Sequence, residues 1–66
     1  MDVTQNIMAL IREKGIKQTA VASRAGFSKQ QFSDMLHGRK TIKAEYIPKI
    51  AEAIGCTVNE IFELKK

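Results

Sequence analysis

Apolar residues recur along this chain at helical spacing, in five clusters parted by short polar breaks. Val3, Ile7, Leu10 and Ile11 form the first stripe. Asp2-Val3-Thr4-Gln5 opens it with capping-box spacing, and Gly15 closes it. The pattern predicts a second helix over 17–24, carrying Ala20, Val21 and Arg24, and then a tight turn at Ala25-Gly26-Phe27. Ser28-Lys29-Gln30-Gln31 repeats the capping box and opens a third helix, which runs through Phe32, Met35 and Leu36 to a stop at Gly38. Residues 38–44 read as a basic loop. Ile47, Ile50, Ala51 and Ile54 place a fourth helix near 45–54, ended by Gly55, with Pro48 in the first turn where a missing N–H costs least. Thr57-Val58-Asn59-Glu60 is a third capping box, ahead of Ile61, Phe62 and Leu64. No strand pattern or internal repeat competes, so the expected fold is all-α.

Sixty-six residues make one small domain, 1–66, with a single core. The 44% hydrophobic content is globular, and no apolar run approaches the roughly 18 to 20 residues of a membrane span. The first residues lack the pattern of a signal peptide, which points to a cytoplasmic protein without a membrane partner. One Cys and one His cannot make an internal disulfide, a zinc site of usual ligand count, or an oriented Cys/His pair. No catalytic residue, metal site, cofactor or small-molecule ligand is expected.

Charge then narrows the class. Residues 12–43 hold Arg12, Lys14, Lys17, Arg24, Lys29, Arg39, Lys40 and Lys43 against Glu13 and Asp34, a net +6 within a chain of net +4. Residues 44–66 are slightly acidic, with three Lys against four Glu. A basic middle beside a near-neutral remainder suits a face for a polyanion, and equally an ordinary solvated surface.

The stretch from Gln18 to Leu36 separates these readings. Two helices joined by a short turn cross steeply, so their contact must be small, and Ala22 meets that need. Gly26, four residues on, suits a left-handed turn position. Phe32 follows six residues later and Met35 three beyond, with Val21, Ala25 and Phe27 as further apolar contacts. This is the spacing of a DNA-binding helix-turn-helix, here about 17–37.

On these residues the chain resembles the phage-repressor and Cro-type, or lambda-repressor-like, helix-turn-helix family. Gln18, Ala22, Gly26, Ser28, Phe32 and Gly38 fit its motif, Ile50 to Phe62 resembles its closing helix pair, and the likeness covers about Asn6 to Phe62. It implies a compact five-helix domain and a sequence-specific regulator of double-stranded DNA, usually a repressor, of phage or bacterial type. The helix at about 28–37 would enter the major groove, and two copies would bind two half-sites. Two positions depart from the family. Ile11 and Leu36 stand where many members carry a buried Arg–Glu pair; both are apolar together, so no buried charge is left unpaired. Lys17 stands where a helix-capping side chain is common, and Lys cannot accept the free N–H groups.

Lys29 and Gln30 fall in the first turn of the recognition helix, the part that reaches base edges. Lys29 sits against the positive end of the helix dipole, a local conflict that favours a functional role. Lys suits guanine O6 and N7; Gln suits adenine N6 and N7. Asp34, one turn beyond Gln30, either accepts from a base, orients Gln30, or is plain surface; Ser33 on the flank touches a base or nothing. By resemblance Gln18 should bond a phosphate. Lys17, Gln31, Arg39, Lys40 and Lys43 are further phosphate candidates, which fix register without specifying sequence. His37 beside Gly38 reads as a helix C-terminal residue rather than a catalyst. Tyr46 either packs the loop or meets a phosphate. Cys56 reads as a small, partly buried apolar residue rather than a redox sensor. The family's usual subunit contact maps to Ile42, Cys56 and Val58, with internal packing of Val58 as the alternative. A homodimer, at least on operator DNA, is therefore expected, with any induction acting through dimerisation, a partner or turnover. The competing reading is an antitoxin-like or antagonist module acting mainly on a protein partner.

Overall fold

The structure, a computed structural model, describes residues 3–63. Its elements are α1 (Val3–Lys14), α2 (Gln18–Ala25), α3 (Lys29–Leu36), a 3₁₀ turn (Ala44–Tyr46), α4 (Ile47–Ile54) and α5 (Val58–Phe62), with no strand among the described residues. Asp2 of the first capping box and Leu64 of the last apolar stripe lie outside the described residues.

Each apolar stripe buries as its spacing requires. Ile7, Leu10 and Ile11 from α1 meet Val21, Ala22 and Ala25 from α2 and Phe32, Met35 and Leu36 from α3. Ile47, Ile50, Ala51, Ala53 and Ile54 from α4, with Ile61 from α5, complete one core. α2 packs mainly on α4, while α1 lies against α3 and α5. Ile11 and Leu36 both belong to this core, so no charge is buried at either position.

Caps account for most boundaries. Ser28 Oγ accepts from the Gln31 N–H at 3.0 Å while Gln31 Oε1 accepts from the Ser28 N–H at 3.4 Å. Thr57 and Glu60 make the same reciprocal pair at 3.2 and 2.9 Å. Lys17, as its chemistry dictates, caps α2 with no side-chain bond. Between α2 and α3, Gly26 adopts φ +88° and the Phe27 N–H closes on the Ala22 carbonyl at 2.8 Å. A side chain at Gly26 would meet nothing within 4 Å, so the need there is the left-handed backbone and not space.

Three boundaries differ from the periodicity. α2 runs Gln18–Ala25 rather than 17–24, because Lys17 remains extended as the cap. Ala25 thus belongs to the helix, not the turn. The fourth helix divides: Ala44–Tyr46 is a 3₁₀ turn and the α-helix starts at Ile47. Pro48 sits in the first turn of that α-helix, where its missing N–H removes no helical bond.

Candidate nucleic-acid interface

The first turn of α3 is held open to solvent by its own cap. Because Ser28 and Gln31 satisfy each other, Lys29 and Gln30 are free of capping duty, and both are exposed. Gln31 is half-buried, with its carbonyl oxygen committed to the cap.

One turn further, Asp34 gathers the site. Gln30 Nε2 donates to Asp34 Oδ1 at 2.9 Å, and Arg39 Nε donates to the same oxygen at 3.0 Å. The Asp34 main-chain carbonyl accepts from the N–H groups of Arg39 (2.8 Å) and Lys40 (3.2 Å). The loop after α3 is thereby folded back along the helix, and its two basic residues flank the exposed face. The Arg39 guanidinium holds the Asp34 carboxyl below the usual carboxylate range; Gln30 and the Lys40 charge add to this, against a smaller opposing effect of burial.

Ser28, Gln30, Gln31, Asp34 and Lys40 line a shallow cleft along α3. A second cleft, sharing Gln31 and Lys40, is lined by Met35, Thr41, Lys43 and Tyr46 as well. The Tyr46 ring meets Phe27 edge-on at 5.1 Å, and Phe27 lies parallel to Phe32 at 6.1 Å. Tyr46 therefore packs the loop against the core while its side chain walls a cleft between two lysines. His37 Nδ1 lies 2.8 Å from the Ser33 carbonyl and 3.4 Å from Ser33 Oγ. A carbonyl only accepts, so Nδ1 carries the proton and His37 caps the end of α3.

The comparisons agree with this architecture. The profile of the Cro/C1-type HTH DNA-binding domain matches residues 6–66. The chain belongs to that family. It is 36% identical over 59 residues to an uncharacterized HTH-type transcriptional regulator of Sinorhizobium fredii, covering 89% of this chain and 77% of that protein. It is also 35% identical over 60 residues to a cyanate hydratase of Albidiferax ferrireducens, covering 91% of this chain but only 41% of that enzyme. No solved structure matches the chain.

Within this Cro/C1-type domain, α3 and its following loop bring together Lys29, Gln30, Gln31, Ser33, Asp34, Arg39, Lys40 and Lys43. Lys17 and Gln18, at the start of α2, line neither cleft. Two of the basic residues have structural duties that spacing did not reveal. Arg39 is paired with Asp34, and Arg24 Nη1 donates to the Ala53 carbonyl at 3.3 Å, in the last turn of α4. Of the three residues expected at a subunit contact, Ile42 and Cys56 are half-buried against the core. Burial pushes the Cys56 thiol up, as does the Glu60 charge, so it stays a neutral thiol. Val58 is exposed at 37%.

Phe62, one of the apolar residues of the last stripe, is not part of the core: it is 41% exposed. Ile61 takes the buried position of α5, and the next residue turns about 100° away from it. Phe62 lies one turn after Val58 on the same side of α5. Among the described residues, no group of three or more His, Cys, Asp or Glu could hold a metal ion, and no helix is long and apolar enough to cross a membrane.

Proposed function

We propose that the chain is a sequence-specific transcriptional regulator that binds double-stranded operator DNA as a Cro-like repressor, with α3 in the major groove. The observation that carries this reading is the exposed first turn of α3, with Lys29 and Gln30 in solvent, Gln30 and Lys40 lining one cleft along the helix and Lys40 and Lys43 the next. In this reading Lys29 and Gln30 face base edges, with Ser33 and Asp34 on the same helix. Lys17, Gln18, Gln31, Arg39, Lys40 and Lys43 face phosphates, which supply most of the affinity and its salt dependence. Repression needs only occupancy of the site.

A single α3 reads only a few base pairs, so selecting a site requires two copies on half-sites about 34 Å apart. The exposed pair Val58 and Phe62, shortly after the half-buried Cys56 in sequence, supports a homodimer contact on α5, with Ile42 contributing from the loop before the 3₁₀ turn. The cyanate hydratase match covers less than half of that enzyme, and the reading favoured here is a regulator and not an enzyme.

Selection of bound duplexes from a random DNA pool tests the reading. Enrichment of a two-fold symmetric sequence, with affinity falling steeply as salt rises, is the expected result. Failure to enrich any sequence, with binding indifferent to salt, would overturn it.

A further inference from the structure

We propose that Asp34 is a specificity-determining positioning residue, whose carboxylate holds the Gln30 amide in the orientation that reads adenine in preference to guanine. This rests on the proposed placement of α3 in the major groove.

The chemistry follows from what each group can offer. An ionised carboxylate only accepts hydrogen bonds, so the Gln30 atom facing Asp34 Oδ1 at 2.9 Å must be the amide nitrogen. The amide can no longer rotate by half a turn without setting two oxygens against each other. Gln30 is exposed, so its carbonyl oxygen and its second N–H are the groups left for a ligand. An acceptor beside a donor is the complement of adenine, which offers the N6 amino group beside N7. It mismatches guanine, whose O6 would face the Gln30 oxygen, acceptor against acceptor, leaving only N7 to accept from the amide. A free glutamine could turn both N–H groups toward guanine; a tethered one has a single N–H left and cannot do so without losing Asp34.

Asp34 is itself poorly placed to read a base. The same oxygen that accepts from Gln30 also accepts from Arg39 Nε at 3.0 Å, and the Asp34 side chain is only 16% exposed. Arg39 thus fixes the carboxylate from the loop side, as Gln30 engages it from the helix side. An unpaired carboxylate among phosphates would oppose binding; paired with Arg39, it does so far less.

The test repeats the selection with the parent, Gln30→Ala, Asp34→Asn and the double variant, followed by titrations on duplexes carrying A or G at the affected base pair. Thermal melting of each variant confirms that it folds. The parent should prefer adenine at one base pair of each half-site, and Gln30→Ala should abolish that preference. Asp34→Asn should lower the adenine-over-guanine ratio about fivefold or more at that same base pair, leave the other positions unchanged, and keep or raise affinity for nonspecific DNA. The double variant should lose no more discrimination there than Gln30→Ala alone, the signature of one residue acting through the other. A parent that selects a site while Asp34→Asn keeps its full preference overturns the inference and spares the DNA-binding reading. So does an Asp34→Asn effect at a different base pair, which would make Asp34 a base reader in its own right. A parent that selects nothing overturns both.

Discussion

The side-chain amide of Asn6 donates to the main-chain carbonyl of Ile61 at 2.8 Å, joining residues 55 positions apart. Asn6 is buried, so this bond sets where α5 sits against α1, and with it the direction in which Val58 and Phe62 project. Asn6→Ala should cost about 1–3 kcal/mol, since it leaves a buried carbonyl short of its donor. For a domain of this size that corresponds to a fall in Tm of about 4–8 °C per kcal/mol. A melt within a degree of the parent would show that Asn6 does not anchor α5.

Ala22 is 1% exposed, and the Phe27 N–H closes on its carbonyl. Ala22→Leu should force α2 away from its neighbours and lower stability by ~1–3 kcal/mol or more. Thermal melting and DNA titration check this together. Parental stability with parental binding would refute the close helix crossing described above.

Lys40 and Lys43 wall the cleft beside α3 and form no ion pair among the described residues. Lys40→Ala and Lys43→Ala should each weaken specific and nonspecific binding by similar factors, and flatten the slope of log affinity against log salt by up to about one unit. A slope unchanged in both variants would place this loop away from phosphate.

Val58 and Phe62 are both exposed, so changing either should leave folding nearly intact. Val58→Asp or Phe62→Asp should reduce cooperative binding to a two-half-site operator far more than binding to one half-site, with little change in Tm. Equal losses on both DNAs would move the subunit contact elsewhere.

Asp34 titrates below the usual carboxylate range, chiefly through Arg39. Because its value is lowered in the folded protein, whatever the pair contributes is fully present above the ordinary aspartate range and is lost as pH falls through the depressed value. Carbon NMR of the Asp34 carboxyl should show this low midpoint, and Arg39→Ala should raise it. A midpoint indifferent to Arg39→Ala would leave the lowering to Gln30 and the remaining charges.

Much of this molecule is determined locally and is legible in the chain. The capping boxes at Ser28 and Thr57 act over three residues, and the left-handed turn at Gly26 is a property of one. The core stripes follow from the helical period, because each side chain's direction is set by its place on its own helix. Gln30 and Asp34 are likewise four apart on one helix, so their bond was among the readings the spacing allowed. Family likeness, carried by Ala22, Gly26, Phe32 and Met35, rests on that same local geometry.

What only the tertiary structure decided are contacts between residues whose separation in sequence carries no period. Arg39 reaches Asp34 because the chain after α3 turns back on itself, and this settles Asp34 as an anchored carboxylate. Arg24 ties to Ala53 and Asn6 to Ile61 across the packed helices, and Tyr46 finds Phe27 from a 3₁₀ turn that periodicity read as plain helix. Phe62 is the clearest case. Ile61 and Phe62 are both apolar, and only the packing shows that α5 turns Ile61 to the core, which leaves Phe62, about 100° round the helix, exposed. Hydrophobic spacing determines which residues share a face; only packing determines which face is covered.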